Sequence, residues 1–394
     1  MPLVSPLPAR VAAARVPAID LVRGLVMVIM ALDHVREFWS PTPVRPEDIA
    51  QTSILLFFSR WITHFCAPTF VLLAGVSIFL YQQKQPNRRR VSWFLLTRGL
   101  WLVALELLVI SPILQWSYQM ILLQVIWAVG WGMVLLAGLL WLPRWLLGVL
   151  AFGMLAGQHL LLPGFETTTP ATVALGLFYH TPFLIPPSGL PAFLMAYTIG
   201  PWAAVLAAGY WLGPWFLLPP PERTRRLRLA GVGLLLGFVV LRATNWYGDP
   251  APWSPQVRGL AYSVLSFLNV AKYPPSLLFL SLTLGTALLL LSSPLGAAQN
   301  RLSEVLRTFG RVPFFYYLLH LLLISASALL WTYWQFGQPV NLGFLNPKEW
   351  PAAYQPSLLR AYVVWLLVVV ALYWPCRWYQ RFKQRHAYWW LSYL

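Results

Sequence analysis

The chain has 394 residues, 59% of them hydrophobic and only 10% charged, with a formal net charge of +17. That balance excludes an ordinary soluble globule, because apolar runs of about twenty residues, long enough to cross a bilayer, recur along the whole length. The charge is not a nucleic-acid footprint, since the cations follow alternate loops and no basic stripe carries interleaved aromatics; no nucleic-acid partner is expected.

The runs predict an all-α polytopic bundle of about ten transmembrane helices, near residues 18–39, 54–82, 92–112, 118–142, 144–163, 196–218, 228–246, 273–294, 310–335 and 358–378. Lys and Arg gather on the cytoplasmic side of membrane proteins. By loop parity one side holds Arg10 and Arg15, Lys84 with Arg88, Arg89 and Arg90, Arg144, Arg223 to Arg228, Arg301, Arg307 and Arg311, and the basic residues from Arg377 to Arg385. The opposite loops carry scattered Arg45, Arg258, Lys272 and Lys348 among Glu47, Asp48, Glu166, Asp249 and Glu349. Both termini are therefore expected in the cytoplasm. The chain reads as a single membrane domain, 1–394, with cytoplasmic segments at 1–17 and 379–394, and its first helix is expected to stay as an uncleaved anchor. Proline-rich stretches at 41–46, 182–191 and 219–221 fall between spans, where a missing N–H does no harm. Cys66 and Cys376 are expected far apart, without a disulfide and without zinc-site spacing.

In the first helix, "IDLVRGLVMVIMALDHVREFW", only apolar residues and glycine separate Arg23 from Asp33. Asp20 and Arg23 sit at one mouth and Asp33, His34, Arg36 and Glu37 at the other. Ionisable groups are costly in a bilayer and become functional candidates by default. Asp20 with Arg23 reads equally as a helix-mouth pair or as part of a ligand entrance. The third helix echoes the first: "RGLWLVALE" sets Glu106 beyond Arg98 as "RGLVMVIMALD" sets Asp33 beyond Arg23, each acid about 12 to 15 Å along its helix. In "RWITHFCAPTF", Arg60 precedes His64 by one turn, and Pro68 cannot donate to the His64 carbonyl, so a break is expected there. His320 follows Tyr316 and Tyr317 in "GRVPFFYYLLH", about 10 Å beyond Pro313.

The three histidines can meet in one cavity, where a neutral imidazole suits general-base or nucleophilic work near neutral pH. The plainer reading of each is packing against a neighbouring helix. His34, flanked by carboxylate and arginine, departs furthest from it. His159, His180 and His386 read as bystanders. Asp33, His34 and His64 lack a diagnostic ligand spacing, so no metal is expected.

The segments "IDLVRGLVMVIMALDHVR", "RWITHFCAPTFVLLAGVS", "LLQVIWAVGWGM", "NWYGDPAPW", "FLNVAKYPPSLLFL" and "FGRVPFFYYLLH" together resemble bacterial membrane proteins grouped with the catalytic domain of heparan-α-glucosaminide N-acetyltransferase, over nearly the entire chain. The resemblance implies a multi-pass acyltransferase of the bacterial inner membrane, embedded in the lipid bilayer. Acetyl-CoA would donate from the cytoplasm, and an amino sugar or other glycan would accept on the far side. It implies catalysis by His34 with Asp33, supported by His64 and His320. It implies a donor site at Asp20, Arg23, Arg98, Arg311, Tyr316 and Tyr317, with Arg307 and glycines 24, 99 and 310 near the phosphates. The acceptor would be met by Arg60, Glu106, Asn269 and Lys272. One departure is plain: the lysosomal branch carries a histidine just after the first helix, and residues 40–53 have none. No G-x-x-x-x-G-K-[ST] loop occurs, which argues against an NTPase. The alternative reading is a proton-coupled transporter, and a homo-oligomer stays open.

Overall fold

In the computed structural model the described residues are 16–160, 169–179, 183–184 and 191–393. Nearly all of the 1–17 segment, Glu166, His180 and most of the 182–191 stretch lie outside them.

Helix α1 (Pro17–Trp39) starts on a proline at its first turn with Asp20 close behind, a placement that suits both the missing N–H and the helix dipole. The next span is broken, as the proline required: α2 (Ile54–Trp61) passes through a 3-10 turn (Ile62–Phe65) into α3 (Cys66–Lys84). Helix α4 (Arg88–Leu105) continues through a π turn (Glu106–Ile110) into α5 (Ser111–Gln115). There Trp116 takes the left-handed conformation at φ 54° and stops it.

The all-α expectation needs one correction. Residues 118–123 were expected in a helix, but β1 (Met120–Leu123) runs parallel to β3 (Ala192–Met195), with Met120 opposite Ala192, and β2 (Phe183–Leu184) pairs antiparallel with β3. The helix of that span, α6 (Val125–Leu139), begins only after the strand. Then come α7 (Arg144–Gly157), α8 (Pro170–Tyr179), α9 (Ile199–Leu212), α10 (Pro220–Thr244), α11 (Leu260–Leu268) and α12 (Leu277–Ser292). A second correction falls on the 310–335 run. Gly310 and Arg311 end a separate helix, α13 (Arg301–Arg311), opened by a capping box between Asn300 and Ser303, and α14 (Pro313–Phe336) starts afresh on its proline. Helix α15 (Leu358–Arg385) closes the bundle.

By length and composition five helical stretches among the described residues are apolar enough to cross a membrane: Ile54–Lys84, Arg88–Gln115, Pro220–Thr244, Pro313–Phe336 and Leu358–Arg385. Helix α1, at 23 residues, is long enough but carries ionisable residues at both ends, while α6, α7 and α12 are apolar but shorter. The most apolar window of Ile54–Lys84 is 78% buried and central; that of Leu358–Arg385 is 17% buried and faces outward.

Glycine sets the closest helix approaches. A Cβ on Gly24 would stand 1.8 Å from the Leu306 carbonyl oxygen, and one on Gly310 1.8 Å from that of Asp20, so α1 and α13 cross backbone to backbone. Gly75 and Gly209 do the same for α3 and α9, and Gly99 faces Gly130 between α4 and α6. Small residues at crossings are how membrane helices gain packing where lipid removes the hydrophobic drive.

Candidate active site

Adjacent residues of a helix point about 100° apart. Asp33 and His34 therefore leave α1 toward different neighbours. The Asp33 carboxylate is gripped by two arginines, accepting from Arg36 Nη2 at 3.1 Å and from Arg60 Nη1 in a very short contact. Arg36 also donates to Glu37 at 2.5 Å, and Arg60 Nε donates to Glu47 Oε1 at 2.8 Å. This buried chain of alternating charge joins α1, α2 and the 40–53 loop. Both Asp33 oxygens are thus engaged by arginine, and neither bonds the His34 ring.

His34 instead meets His320 across α1 and α14, its Nδ1 2.8 Å from His320 Nε2 with ring centroids 5.0 Å apart. The fully buried His320 sets its own Nδ1 3.0 Å from the Tyr316 carbonyl oxygen. A carbonyl only accepts, so His320 Nδ1 holds the proton and its Nε2 is the acceptor. His34 Nδ1 must then donate. The chain of bonds leaves His34 Nε2 as the basic nitrogen, and His34 lines a cavity.

That cavity measures about 40 Å³, a volume that suits a few water molecules or a small ligand group. Besides His34 it is lined by Asp33, Thr63, Cys66, Gln124, Tyr197, Lys272 and Tyr317, with Met27, Met30, Phe70 and other apolar neighbours. Six parts of the chain converge: α1, the broken α2–α3 span, the β1–α6 junction, the entry to α9, the loop before α12, and α14. Lys272 and Tyr317 are buried, and the Tyr317 hydroxyl has no hydrogen-bond partner among the described residues.

The other expected residues lie outside the lining. His64 is buried, and neither ring nitrogen is hydrogen-bonded among the described residues; Glu47 Oε1 is 3.9 Å from its Nε2. Glu106 stands behind the wall as a helix cap, its Oε2 accepting from the Trp127 N–H at 3.1 Å in the first turn of α6. Asn269 holds the 40–53 loop through the Glu47 carbonyl, 2.9 Å away. Arg23 bonds Ser77 Oγ at 2.6 Å and reaches the Gly310 carbonyl at 3.4 Å, while Arg311 Nε lies 3.8 Å from Asp20. These four residues brace the junction of α1, α3 and α13, where the neighbouring glycines serve close packing. Arg98 sits against Phe94, 5.8 Å from the ring centroid, and Tyr316 stacks on His320 at 5.3 Å.

Among the described residues, no group of three or more His, Cys, Asp or Glu is placed to hold a metal ion. Both cysteines are free and buried. Sequence reasoning missed Gln124, Tyr197 and Cys66 as wall residues. Gln124 left a signal: it is the lone polar residue in the apolar stretch 120–130.

A polytopic helical protein whose histidine pair opens on a cavity belongs to the class of membrane proteins that carry chemistry within the bundle. The family described as "Heparan-alpha-glucosaminide N-acetyltransferase, catalytic" matches residues 15–242, more than half of the chain, and the protein belongs to it. It is a membrane protein of an acetyltransferase family. The match takes in His34, Arg60, His64 and Gln124 but stops short of Lys272, Tyr317 and His320, so the similarity is narrower than the motifs had implied. No curated protein matches the chain.

Proposed function

We propose that the protein transfers an acetyl group from cytoplasmic acetyl-CoA to an amino sugar or other glycan amine or hydroxyl on the extracytoplasmic face of a bacterial plasma membrane, with His34 Nε2 as the general base. The observation that carries this reading is the bond chain from the Tyr316 carbonyl through His320 to His34, which leaves an unprotonated nitrogen on the cavity. When His34 takes a proton from the acceptor, His320 is already in place to share the developing positive charge. Asp33 acts at one remove, since with Arg36 and Arg60 it fixes the end of α1 that presents His34. Family membership favours a transferase over a transporter. Arg98, Tyr316 and Tyr317 lie on the donor's side of His34 in this reading, while Lys272 faces the acceptor's.

The test uses purified protein in detergent with acetyl-CoA and glucosamine. Binding of acetyl-CoA to the native state raises the apparent melting temperature, and acetylglucosamine is quantified by mass spectrometry. His34→Gln is expected to keep the thermal shift and lose transfer by about 100-fold or more. Parental transfer by that variant removes His34 from the mechanism. Absence of both binding and transfer in the parent protein overturns the reading.

A further inference from the structure

Resting on that reading, we propose that the Lys272 ammonium and the Tyr317 hydroxyl form the oxyanion site of the transfer, the two donors that receive the negative oxygen when the thioester carbonyl is attacked. Lys272 is 7% exposed and lines the same cavity as His34, yet its ammonium makes no hydrogen bond or ion pair with any described residue. It lies over the face of Tyr273, 5.0 Å from the ring centroid, and within electrostatic reach of the Asp33 carboxylate on the same cavity. The carboxylates nearby are already engaged: Asp33 by Arg36 and Arg60, and Glu47 by Arg60. A buried cation with no direct hydrogen bond or ion pair is costly, and an anion that forms in front of it offsets that cost. Tyr317 gives a parallel signal from α14, being 1% exposed, on the cavity, and with a hydroxyl that bonds none of the described residues.

The two donors and the basic nitrogen thus surround one small space. As the acceptor nitrogen forms its bond to the carbonyl carbon, the carbonyl π pair moves onto oxygen, where Lys272 N–H and Tyr317 O–H donate to it. His34 Nε2 takes the proton from the attacking nitrogen. The oxygen pair then re-forms the carbonyl, the carbon–sulfur bond breaks, and the departing thiolate takes the proton from His34, giving the amide and free CoA. Donors fixed beforehand in a site shielded from water stabilise this charge without reorganising.

The experiment measures steady-state acetyl transfer from acetyl-CoA to glucosamine by Lys272→Met, Lys272→Arg and Tyr317→Phe, beside the acetyl-CoA thermal shift of each. Loss of one oxyanion donor typically costs about 100- to 1,000-fold in kcat. Lys272→Met is expected to fall in that range and Tyr317→Phe by about 10-fold or more. KM for both substrates should stay within about two-fold of the parent, since an oxyanion donor acts in the transition state and not in binding. Lys272→Arg, which keeps the charge, should recover part of the rate. A parental kcat in Lys272→Met overturns the proposal, as does a raised KM at unchanged kcat, which would make Lys272 an acceptor-binding group. Should Lys272→Met fail to fold, Tyr317→Phe decides by the same criteria. Active parent with active variants defeats this inference alone; an inactive parent that binds no acetyl-CoA defeats the function proposal and this one with it.

Discussion

At the scale of single residues, the site works through what each imidazole is bonded to. His320 does not line the cavity, and its contribution is to hold the His34 proton on Nδ1. Replacing it by alanine leaves His34 free to swap tautomers, and kcat for acetyl transfer is expected to fall about 10- to 100-fold, less than for His34→Gln, with acetyl-CoA binding kept. A fall as deep as that of His34→Gln would give His320 a direct part in the chemistry. Glu47 offers a pH test. Burial alone would raise its carboxyl, but His64 beside it and the Arg60 guanidinium hold it below the usual carboxylate range. A carboxylate whose pKa is lower folded than unfolded stabilises the fold above its unfolded value, about 4.3, and loses that contribution as pH falls through the folded one. The melting temperature of Glu47→Gln should therefore lie furthest below the parent near neutral pH, and the gap should begin to narrow only below about pH 4. A gap that widens on acidification would remove Glu47 from the network. Asp33, His34 and His320 were legible as candidates because ionisable residues stand out in apolar runs. Their partners were not, since a linear pattern does not say which neighbour a helix face meets; hence Asp33 was expected on His34 and sits instead between two arginines.

At the scale of elements, the break in the α2–α3 span and the glycine crossings decide where the site residues stand. Pro68 leaves the His64 carbonyl without its helical donor, and Thr63 Oγ1 turns back to the Arg60 carbonyl at 2.6 Å in the same 3-10 turn. Pro68→Ala should straighten this turn and shift Arg60, Thr63 and Cys66 together, lowering kcat more than the melting temperature. A variant that turns over like the parent would reduce the break to a packing feature. Gly75 makes a sharper stability test: a Cβ there would stand 2.0 Å from the Leu206 carbonyl oxygen, whereas nothing lies within 4 Å of one on Gly237. Gly75→Val is expected to cost about 3 kcal/mol or more, because backbone must move to admit it, and Gly237→Val little by comparison; equal losses in urea or thermal unfolding would refute the crossing as drawn. The long helices could be read from their apolar runs, since length and composition alone mark them. The strands could not, because Met120–Leu123 is as apolar as the helix beside it and its partner lies some seventy residues away in sequence at Ala192–Met195. The independence of α13 was likewise hidden: only Val312 and Pro313 separate Arg311 from the run that leads to His320.

At the scale of the whole molecule, the remaining question is which ends of the helices share a side. The loops that parity assigns to the outside meet one another: Arg258 donates to the carbonyls of Ile49 and Thr52 at 2.8 and 2.9 Å, Asn269 to Glu47, and Tyr354 to the Pro41 carbonyl at 2.8 Å. The segments assigned to the cytoplasm also meet, with Thr97 Oγ1 2.9 Å from the Tyr393 hydroxyl and Gly296 packed on Ala18. The expectation of ten crossings with both termini inside puts the first set of loops outside and the second inside, the Lys and Arg bias naming the inner end. The labelling experiment needs exposed sites. Asp249 is unsuitable, as its buried carboxylate bonds the Ala251 and Ala271 N–H groups, but Val257 in the same loop is fully exposed, and Arg89 is exposed at the other end. Cys66 and Cys376 are buried, so background labelling is low. In intact cells an impermeant thiol reagent is expected to modify Val257→Cys and spare Arg89→Cys, with both reacting once the membrane is opened. The reverse pattern would invert the molecule and place His34 nearer the cytoplasm than the donor phosphates, which defeats transfer across the bilayer. Equal labelling in intact cells would put both loops on one side and break the ten-span count, because an odd number of crossings must separate residue 89 from residue 257.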